Sequence, residues 1–201
     1  MISTKRPTST LVIALSSSFV CDIHTSLSRI SQVVETVHAL IELDYRVILV
    51  TGGALGMGSR ALAKQVSSES HAALTAVGQA KLIRLYSDLF ARVNQPVGQL
   101  ILTQLDPFLS CLDELCTMKV VPICHARFQC EETVAARLAV QIHADSLILT
   151  YAGEEQGKMS LGMAGSRMAL WAAADMATAS GVRTLLVDSC APDRILPILL
   201  S

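Results

Sequence analysis

Charged side chains are scarce in this sequence, and neither sign is in clear excess. Asp, Glu, Lys and Arg make up 16% of the 201 residues, and the formal net charge is -1 at pH 7. Proteins that bind nucleic acid or an anionic membrane surface usually carry a basic patch, and this composition provides no excess of basic residues for one. The sequence therefore predicts no nucleic-acid partner and no membrane partner.

Long apolar runs are also absent, although 51% of the residues are hydrophobic. No stretch approaches the roughly 18 apolar residues of a membrane span. The first 21 residues have an apolar core at Leu11 to Leu15 that is shorter than the usual apolar region of a signal peptide. We interpret that core as a buried strand and expect a cytoplasmic protein. The length and the low charge predict one folded domain over residues 1–201.

The six cysteines form no C-x-x-C pair, so a redox or zinc motif is missing. They lie in or beside apolar runs, which is typical of reduced core thiols. A metal cluster could be imagined from His125, Cys124, Cys130, Glu131 and Glu132. Zinc sites usually need a second closely spaced ligand pair, which this sequence lacks, so we predict no metal site.

Three familiar motifs of nucleotide and acyl chemistry are missing as well. The loop GGALGMG, residues 52–58, does not have the G-x-G-x-x-G spacing of dinucleotide-binding folds, and the sequence has no G-K-[ST] of a P-loop. Ser16 to Ser18 lack the glycines of the G-x-S-x-G elbow. These three classes of enzyme are therefore disfavoured.

What the sequence does contain is a regular alternation of two kinds of apolar pattern. Continuous β-branched runs predict strands, and apolar residues spaced by three or four predict helices. The predicted strands lie at 10–15, 46–51, 97–103, 120–124, 146–150 and 182–187. The predicted helices lie at 26–43, just after 52–58, and at 71–93, 107–118, 131–143, 163–180 and 192–200. This alternation predicts a three-layer α/β sandwich with a mostly parallel central sheet.

In such sheets, ligands collect at the carboxyl ends of the strands, where backbone N–H groups and helix N-termini favour anions. Three segments are candidates there. Ser16 to Ser18 form a predicted tight turn after the first strand, Gly52 to Gly58 follow the second, and Gly162 to Gly165 form a predicted turn before a late helix. Glycines after a strand are weak indicators alone, because many such loops only permit close packing.

Longer segments carry a family resemblance. The string AVGQAKLIRLYSDLFARVNQPVGQLILT, residues 76–103, resembles a helix and strand of glutamate 5-kinases, and RVILVTGGALGMG, residues 46–58, resembles that family's second strand and loop. VVPIC, HADSLILT and AAADMATASGVRTLLVDS then follow in the family's order. The sequence is identified as a member of the amino-acid kinase superfamily, which implies the amino-acid-kinase fold.

The resemblance implies ATP-dependent phosphorylation of L-glutamate in proline biosynthesis, with Mg²⁺ as the accompanying ion. Catalysis of phosphoryl transfer depends on cations that neutralise the phosphates. The family's lysine on the first strand falls at Ala14, and the lysine that opens its late helix falls at Leu170. Arg167 is the nearest substitute, and Lys158 is a more distant one. Arg167 is therefore the only catalytic candidate, and the nucleotide-binding candidates are Ser16, Ser17, Gly162, Gly165 and Arg167.

The substrate side of the resembled site is also altered. A serine that holds glutamate in the family falls at Gly52, and the substrate-binding candidates are Thr51, Gly52, Gly53 and Ala54. Glu131 and Glu132 stand where the family has Asn and Asp, and a carboxylate at Glu131 would repel an anionic substrate. After SLILT, the short segment YAGEEQGKMSLGMAG replaces a long nucleotide-binding stretch of the family.

Three functions are compatible with these departures. The sequence favours a pseudokinase with a binding or assembly role, acting as a homo-oligomer through the 76–103 region. The second hypothesis is an active glutamate 5-kinase of divergent form, completed by a partner chain and using ATP and Mg²⁺. The third is a sensor that binds an amino acid or a nucleotide. Loss of one preorganised donor typically costs about 100 to 1,000-fold in rate, so two missing cations favour the first.

Overall fold

The computed structural model describes residues 9–21, 23–63, 70–102, 108–126, 130–151 and 161–200. Within these ranges the strands are β1 (Thr10–Leu15), β2 (Arg46–Thr51), β3 (Val97–Leu102), β4 (Val121–Ala126), β5 (Ser146–Tyr151) and β6 (Arg183–Asp188). The helices are α1 (Ser17–Cys21), α2 (Ile23–Glu42), α3 (Ala54–Ala61), α4 (His71–Ala91), α5 (Leu109–Thr117), α6 (Glu131–Gln141), α7 (Leu161–Ala179) and α8 (Ile195–Leu200). A 3-10 turn at Pro192–Arg194 precedes α8.

The six strands form one sheet in the order β3-β4-β2-β1-β5-β6, and each of the five pairings is parallel. At the centre, Ala14 of β1 lies opposite Val50 of β2 and Leu149 of β5. These strands are almost continuous apolar runs because a parallel sheet is covered on both faces. The predicted parallel sheet is confirmed.

Alternate residues of each central strand enter two separate apolar clusters. Leu11, Ile13 and Leu15 pack with residues of α1, α2, α4 and α8 on one face. Val12 and Ala14 pack with residues of α5, α6 and α7 on the other face. Because successive side chains of a strand point to opposite faces, the sheet is the middle layer of a three-layer sandwich, as predicted.

The connections place a topological switch at β1. The chain passes from β1 to β2 on one side, and later crosses from β4 to β5 on the other side of β1. Ligands of open α/β sheets bind in the crevice outside such a switch point, at the carboxyl ends of the strands. A ligand site is therefore expected at the carboxyl end of β1.

Two predicted turns are wrong. The turn expected at Ser16 to Ser18 is the start of the short helix α1, which forms because Phe19 and Val20 are buried in the first apolar cluster. The turn expected at Gly162 to Gly165 lies inside α7, which begins at Leu161. The alanine-rich stretch behind these glycines favours a helix strongly enough to include them.

The turn expected at 153–157, and with it Lys158, lies outside the described residues. No helix in the ranges described is long and apolar enough to cross a membrane.

Candidate functional site

Three adjacent strands end together at the carboxyl edge of the sheet, and hydrogen bonds join their ends. The backbone N–H of Ser16 donates to Thr150 Oγ1 at 3.1 Å, and that hydroxyl donates to the Ala14 carbonyl at 2.9 Å. The Gly52 N–H donates to the Leu15 carbonyl at 3.2 Å. These bonds fix the positions of the segments that follow β1 and β2.

A carboxylate from α6 occupies the crevice beside β1. The backbone N–H of Ser17, at the start of α1, donates to Glu131 Oε1. Ser17 Oγ in turn accepts a hydrogen bond from the Gly53 N–H at 3.1 Å. Ser17 and Gly53, two of the predicted site residues, are therefore brought together with Glu131, at the place where the fold favours an anion.

Gly52 leaves the space that the Glu131 side chain fills. A Cβ atom built on Gly52 would lie 2.5 Å from Glu131 Oε1 and 2.6 Å from Glu131 Cδ, and it would overlap Ser17 Oγ. Non-bonded carbon atoms require about 3.5 Å or more. The absence of a side chain at Gly52 therefore permits the contact between α6 and α1.

The other predicted substrate residues lie inside the fold. Thr51 and Ala54 are each 1% exposed. Thr51 Oγ1 shares a hydrogen bond of 2.9 Å with the Tyr86 hydroxyl of α4. The Thr51 carbonyl lies 2.9 Å from His125 Nδ1, and because a carbonyl only accepts, the proton is on Nδ1. Thr51 thus ties the end of β2 to α4 and β4.

The last glycine of the loop serves helix packing. A Cβ on Gly58 of α3 would overlap the Leu74 carbonyl oxygen of α4 and lie 2.6 Å from its carbon. A Cβ on Gly78 of α4 would overlap the Ala54 carbonyl oxygen and lie 2.6 Å from the Gly58 nitrogen. The backbones of α3 and α4 are therefore in direct contact, which only glycine at these positions permits.

The two positions that the resemblance assigns to the family's lysines, Ala14 and Leu170, lie in the core. Ala14 is 1% exposed and Leu170 is 7% exposed. Both belong to the apolar cluster that α6 and α7 form against the sheet. An ammonium group at either position would be surrounded by apolar atoms.

The nucleotide-binding candidates are dispersed over two elements. Ser16 and Ser17 lie at the carboxyl edge of β1, as predicted. Gly162, Gly165 and Arg167 all lie in α7, and the Arg167 side chain is exposed. The Arg167 prediction remains untested by this geometry.

Glu132 is a buried carboxyl that sequence reasoning did not distinguish from its neighbour. It is 5% exposed, and burial, together with the adjacent Glu131 carboxylate, raises the pKa of Glu132 above its ordinary value. Cys130, the residue before α6, places its Sγ 2.9 Å from Thr133 Oγ1. In the part of the chain that the structure describes, no three His, Cys, Asp or Glu side chains are grouped to hold a metal ion.

The site also contains residues that no local pattern revealed. Thr150 and Tyr86 were visible only as members of an apolar strand and a core stripe. The position of Glu131 at the start of a helix was predictable, because acidic residues favour the first turn of a helix. Its contact with Ser17 joins residues 114 positions apart, which spacing alone does not predict.

Residues 9–151 match the sequence profile of the amino acid kinase family. The chain belongs to this family. Among individual proteins it is similar to the glutamate 5-kinase of Rippkaea orientalis (strain PCC 8801 / RF-1), with 31% identity over 224 residues, 87% of this chain and 61% of that protein. It is also similar to the probable glutamate 5-kinase of Schizosaccharomyces pombe, with 36% identity over 165 residues, 71% of this chain and 41% of that protein. The resemblance to glutamate 5-kinases is thereby confirmed.

The lengths of these matches differ from that of the chain. This chain spans 61% and 41% of the two relatives. The alignment with the Rippkaea protein extends over 224 residues, more than the 201 of this chain, so that relative has residues in the aligned stretch without a counterpart here. The fold is similar to that of T. acidophilum isopentenyl phosphate kinase, with a TM-score of 0.65 at 11% identity over 96% of this chain and 95% of that one.

Proposed function

We propose that this chain is a non-catalytic member of the amino acid kinase family, a pseudokinase that has lost the glutamate phosphorylation of glutamate 5-kinases and acts by association. The observation that carries the proposal is the Glu131 carboxylate on the Ser17 N–H. A kinase needs donors and cations in this crevice for an anionic substrate and a triphosphate. Here the Glu131 carboxylate of the chain itself accepts the hydrogen bond of the Ser17 N–H.

Electrostatic repulsion supports this assignment. A second anion placed about 4 Å from the Glu131 carboxylate costs roughly 1 to 4 kcal/mol at effective dielectrics between water and a protein surface. L-Glutamate and the phosphates of ATP would both meet this repulsion.

The buried positions of Ala14 and Leu170 support it further. Active members of the family use ATP with Mg²⁺, and the groups that the described residues place around Ser17 are a carboxylate, hydroxyls and backbone N–H groups. That set does not fit a magnesium triphosphate, because the lysine positions are apolar and enclosed. Each lost donor costs about 100 to 1,000-fold in rate, although such losses are not additive.

An acyl phosphate assay tests the proposal. Purified protein is incubated with ATP, Mg²⁺ and L-glutamate, and hydroxylamine traps any γ-glutamyl phosphate as a hydroxamate. The glutamate 5-kinase of Rippkaea orientalis is the positive control. We expect no hydroxamate above the protein-free background. Turnover that Arg167→Ala abolishes would instead establish the divergent active enzyme.

The proposed association uses the 76–103 region, which comprises most of α4 and the strand β3. β3 is the outermost strand on its side of the described sheet. Edge strands are usually protected by charge or proline, whereas β3 reads VGQLIL and Ile101 is 45% exposed. We therefore propose that a second copy of the chain pairs along β3.

Sedimentation equilibrium tests this association. We expect a dimer for the natural chain and a monomer for Ile101→Lys, because a charged side chain in the paired edge would lose its hydration. Leu200→Lys is the matched control, since Leu200 is 57% exposed and lies in α8, away from β3. A natural chain that is monomeric at every concentration would contradict the proposal.

A further inference from the structure

A cavity of about 340 Å³ lies at the amino edge of the sheet, opposite the crevice that holds Glu131. It is bounded by the carboxyl ends of α2 and α5 and by the first residues of β2. Ile41, Val47 and Val120 form apolar parts of its wall. A cavity of roughly 300 to 1,000 Å³ is the usual size for a small-molecule site.

Groups of both charges line the mouth of this cavity. Lys119 Nζ lies 3.9 Å from Asp44 Oδ1, and both side chains are more than half exposed. An exposed ion pair at this distance contributes little, so a ligand can replace either partner. Both residues have left-handed backbones, with φ of 56° at Lys119 and 69° at Asp44. The tight loops after α5 and α2 thus present the two charges to the same space.

The guanidinium group of Arg46 lines the cavity. Arg46 Nη2 lies 2.5 Å from Asp113 Oδ1, which orients the group, and the arginine side chain remains 32% exposed. Arginine carries five N–H donors, and this ion pair uses few of them. Among the described residues, Arg46 Nε is buried and has no hydrogen-bond partner. The half-buried Cys116 thiol lies beside the guanidinium and lines the same cavity.

We propose that this cavity binds a zwitterionic amino acid with an apolar side chain. The ligand carboxylate binds Arg46 and Lys119. Its ammonium group binds Asp44, and the partial negative charge at the carboxyl ends of α2 and α5 favours it further. Its apolar side chain contacts Tyr45 and Val120, which line the cavity and are only partly buried. This binding site is separate from the Glu131 crevice and does not depend on the proposed loss of kinase activity.

Calorimetric titration with L-leucine tests the charge requirement. Two matched probes each lack one charge: 4-methylpentanoate has no ammonium group, and 3-methylbutylamine has no carboxylate. We expect L-leucine to bind, and each probe to bind about tenfold more weakly or worse, because one charge-assisted hydrogen bond is lost. Equal affinity for either probe, or no binding of L-leucine at millimolar concentration, would overturn the proposal.

Cysteine labelling locates the ligand. L-Leucine at saturation should slow the reaction of Cys116 with N-ethylmaleimide, measured by peptide mass spectrometry. Cys111 lies on the same helix but does not line the cavity, so its reaction should not change. Protection of both thiols or of neither would place the ligand elsewhere and contradict the proposal.

A conservative variant completes the test. Asp44→Asn removes the partner of the ligand ammonium, and asparagine tolerates the left-handed backbone at this position. We expect L-leucine to bind this variant about tenfold more weakly or worse. Asp88→Asn, on the exposed face of α4, is the control and should retain full affinity. Unchanged affinity in Asp44→Asn would overturn the assigned role of Asp44.

Discussion

Glu131 Oε1 accepts a hydrogen bond from the backbone N–H of Ser17, so the first residue of α6 contacts the first residue of α1. This hydrogen bond is exposed to solvent, so its net contribution is about 0.5 to 1.5 kcal/mol. This contact joins helices on opposite faces of the sheet, at the carboxyl end of β1. The proposed function rests on the same contact, because this carboxylate accepts the Ser17 N–H beside β1.

Glu131→Ala should lower the free energy of unfolding by about 0.5 to 1.5 kcal/mol, since the exposed Ser17 N–H exchanges a charged acceptor for water. Glu131→Gln should cost less, because the amide oxygen still accepts. Urea denaturation followed by circular dichroism gives both values. Glu114→Ala, at an exposed position of α5, is the control. Equal unfolding midpoints for Glu131→Ala and Glu114→Ala would show that the contact does not stabilise the fold.

Gly52→Ala should destabilise the chain by about 1 to 3 kcal/mol, because the new methyl group meets Glu131 and Ser17. The loss should be smaller in a Glu131→Ala background, where two of the three nearest atoms are gone. The double-mutant cycle should give a coupling of about 0.5 kcal/mol or more. Strict additivity would argue against the proposed packing of Glu131 over Gly52.

Gly58→Ala should be destabilising although alanine is the better helix former. The helix preference favours alanine by about 1 kcal/mol. Overlap with the Leu74 backbone should cost about 3 kcal/mol, and a backbone atom has little freedom to move away. Thermal unfolding measures the net loss. Gly98→Ala is a suitable comparison, since its nearest contact would be a Leu115 methyl at 3.1 Å, and it should cost less.

Glu132 should give the stability a specific dependence on pH. Because burial raises its pKa in the folded state, the folded chain binds more protons than the unfolded chain once the pH exceeds the ordinary carboxyl value of about 4.3. The resulting stabilisation is complete below that pH and is lost as the pH rises through the folded-state pKa. The natural chain should therefore lose stability relative to Glu132→Gln over this interval. Urea titrations at a series of pH values measure the difference, and a constant difference would contradict the prediction.

Leu170→Lys should not restore phosphoryl transfer. Its ammonium group would enter the apolar cluster that contains Ala14, at a cost of roughly 3 to 5 kcal/mol for an uncompensated buried charge. Leu170→Met conserves volume and should cost less than about 1.5 kcal/mol. Denaturation and the hydroxamate assay are run on both variants. A stable Leu170→Lys protein that forms γ-glutamyl hydroxamate would refute the interpretation of this position.

The fold was largely predictable because its strands are buried on both faces. RVILVT, residues 46–51, is apolar throughout, and the helix pattern at 26–43 differs from α2 by only a few residues at its ends. α1 was not predictable, since five residues are too few to show a period, and burial of Phe19 and Val20 decides its conformation. α7 begins at Leu161, two residues before its predicted start at Met163.

The position of the candidate site was predictable from the sequence, but the side chains that fill it were not. A parallel sheet fixes the edge at which Ser16 and Gly52 meet, whatever the side chains are. The groups that fill this edge come from distant segments, as Glu131 and Thr150 do. The cavity beside Arg46 was unpredictable for the same reason. The ends of α2 and α5, which are far apart in sequence, enclose it.

Gly58 and Gly78 let the main chains of α3 and α4 lie in direct contact. A side chain on either glycine would force the two main chains apart, so these residues set the spacing between α3 and α4. Five residues, 92–96, separate α4 from β3, and they include the short turn at 92–94. Because α4 leads into β3, the outermost strand on its side of the described sheet, the same spacing helps to set where that strand lies relative to the loop after β2.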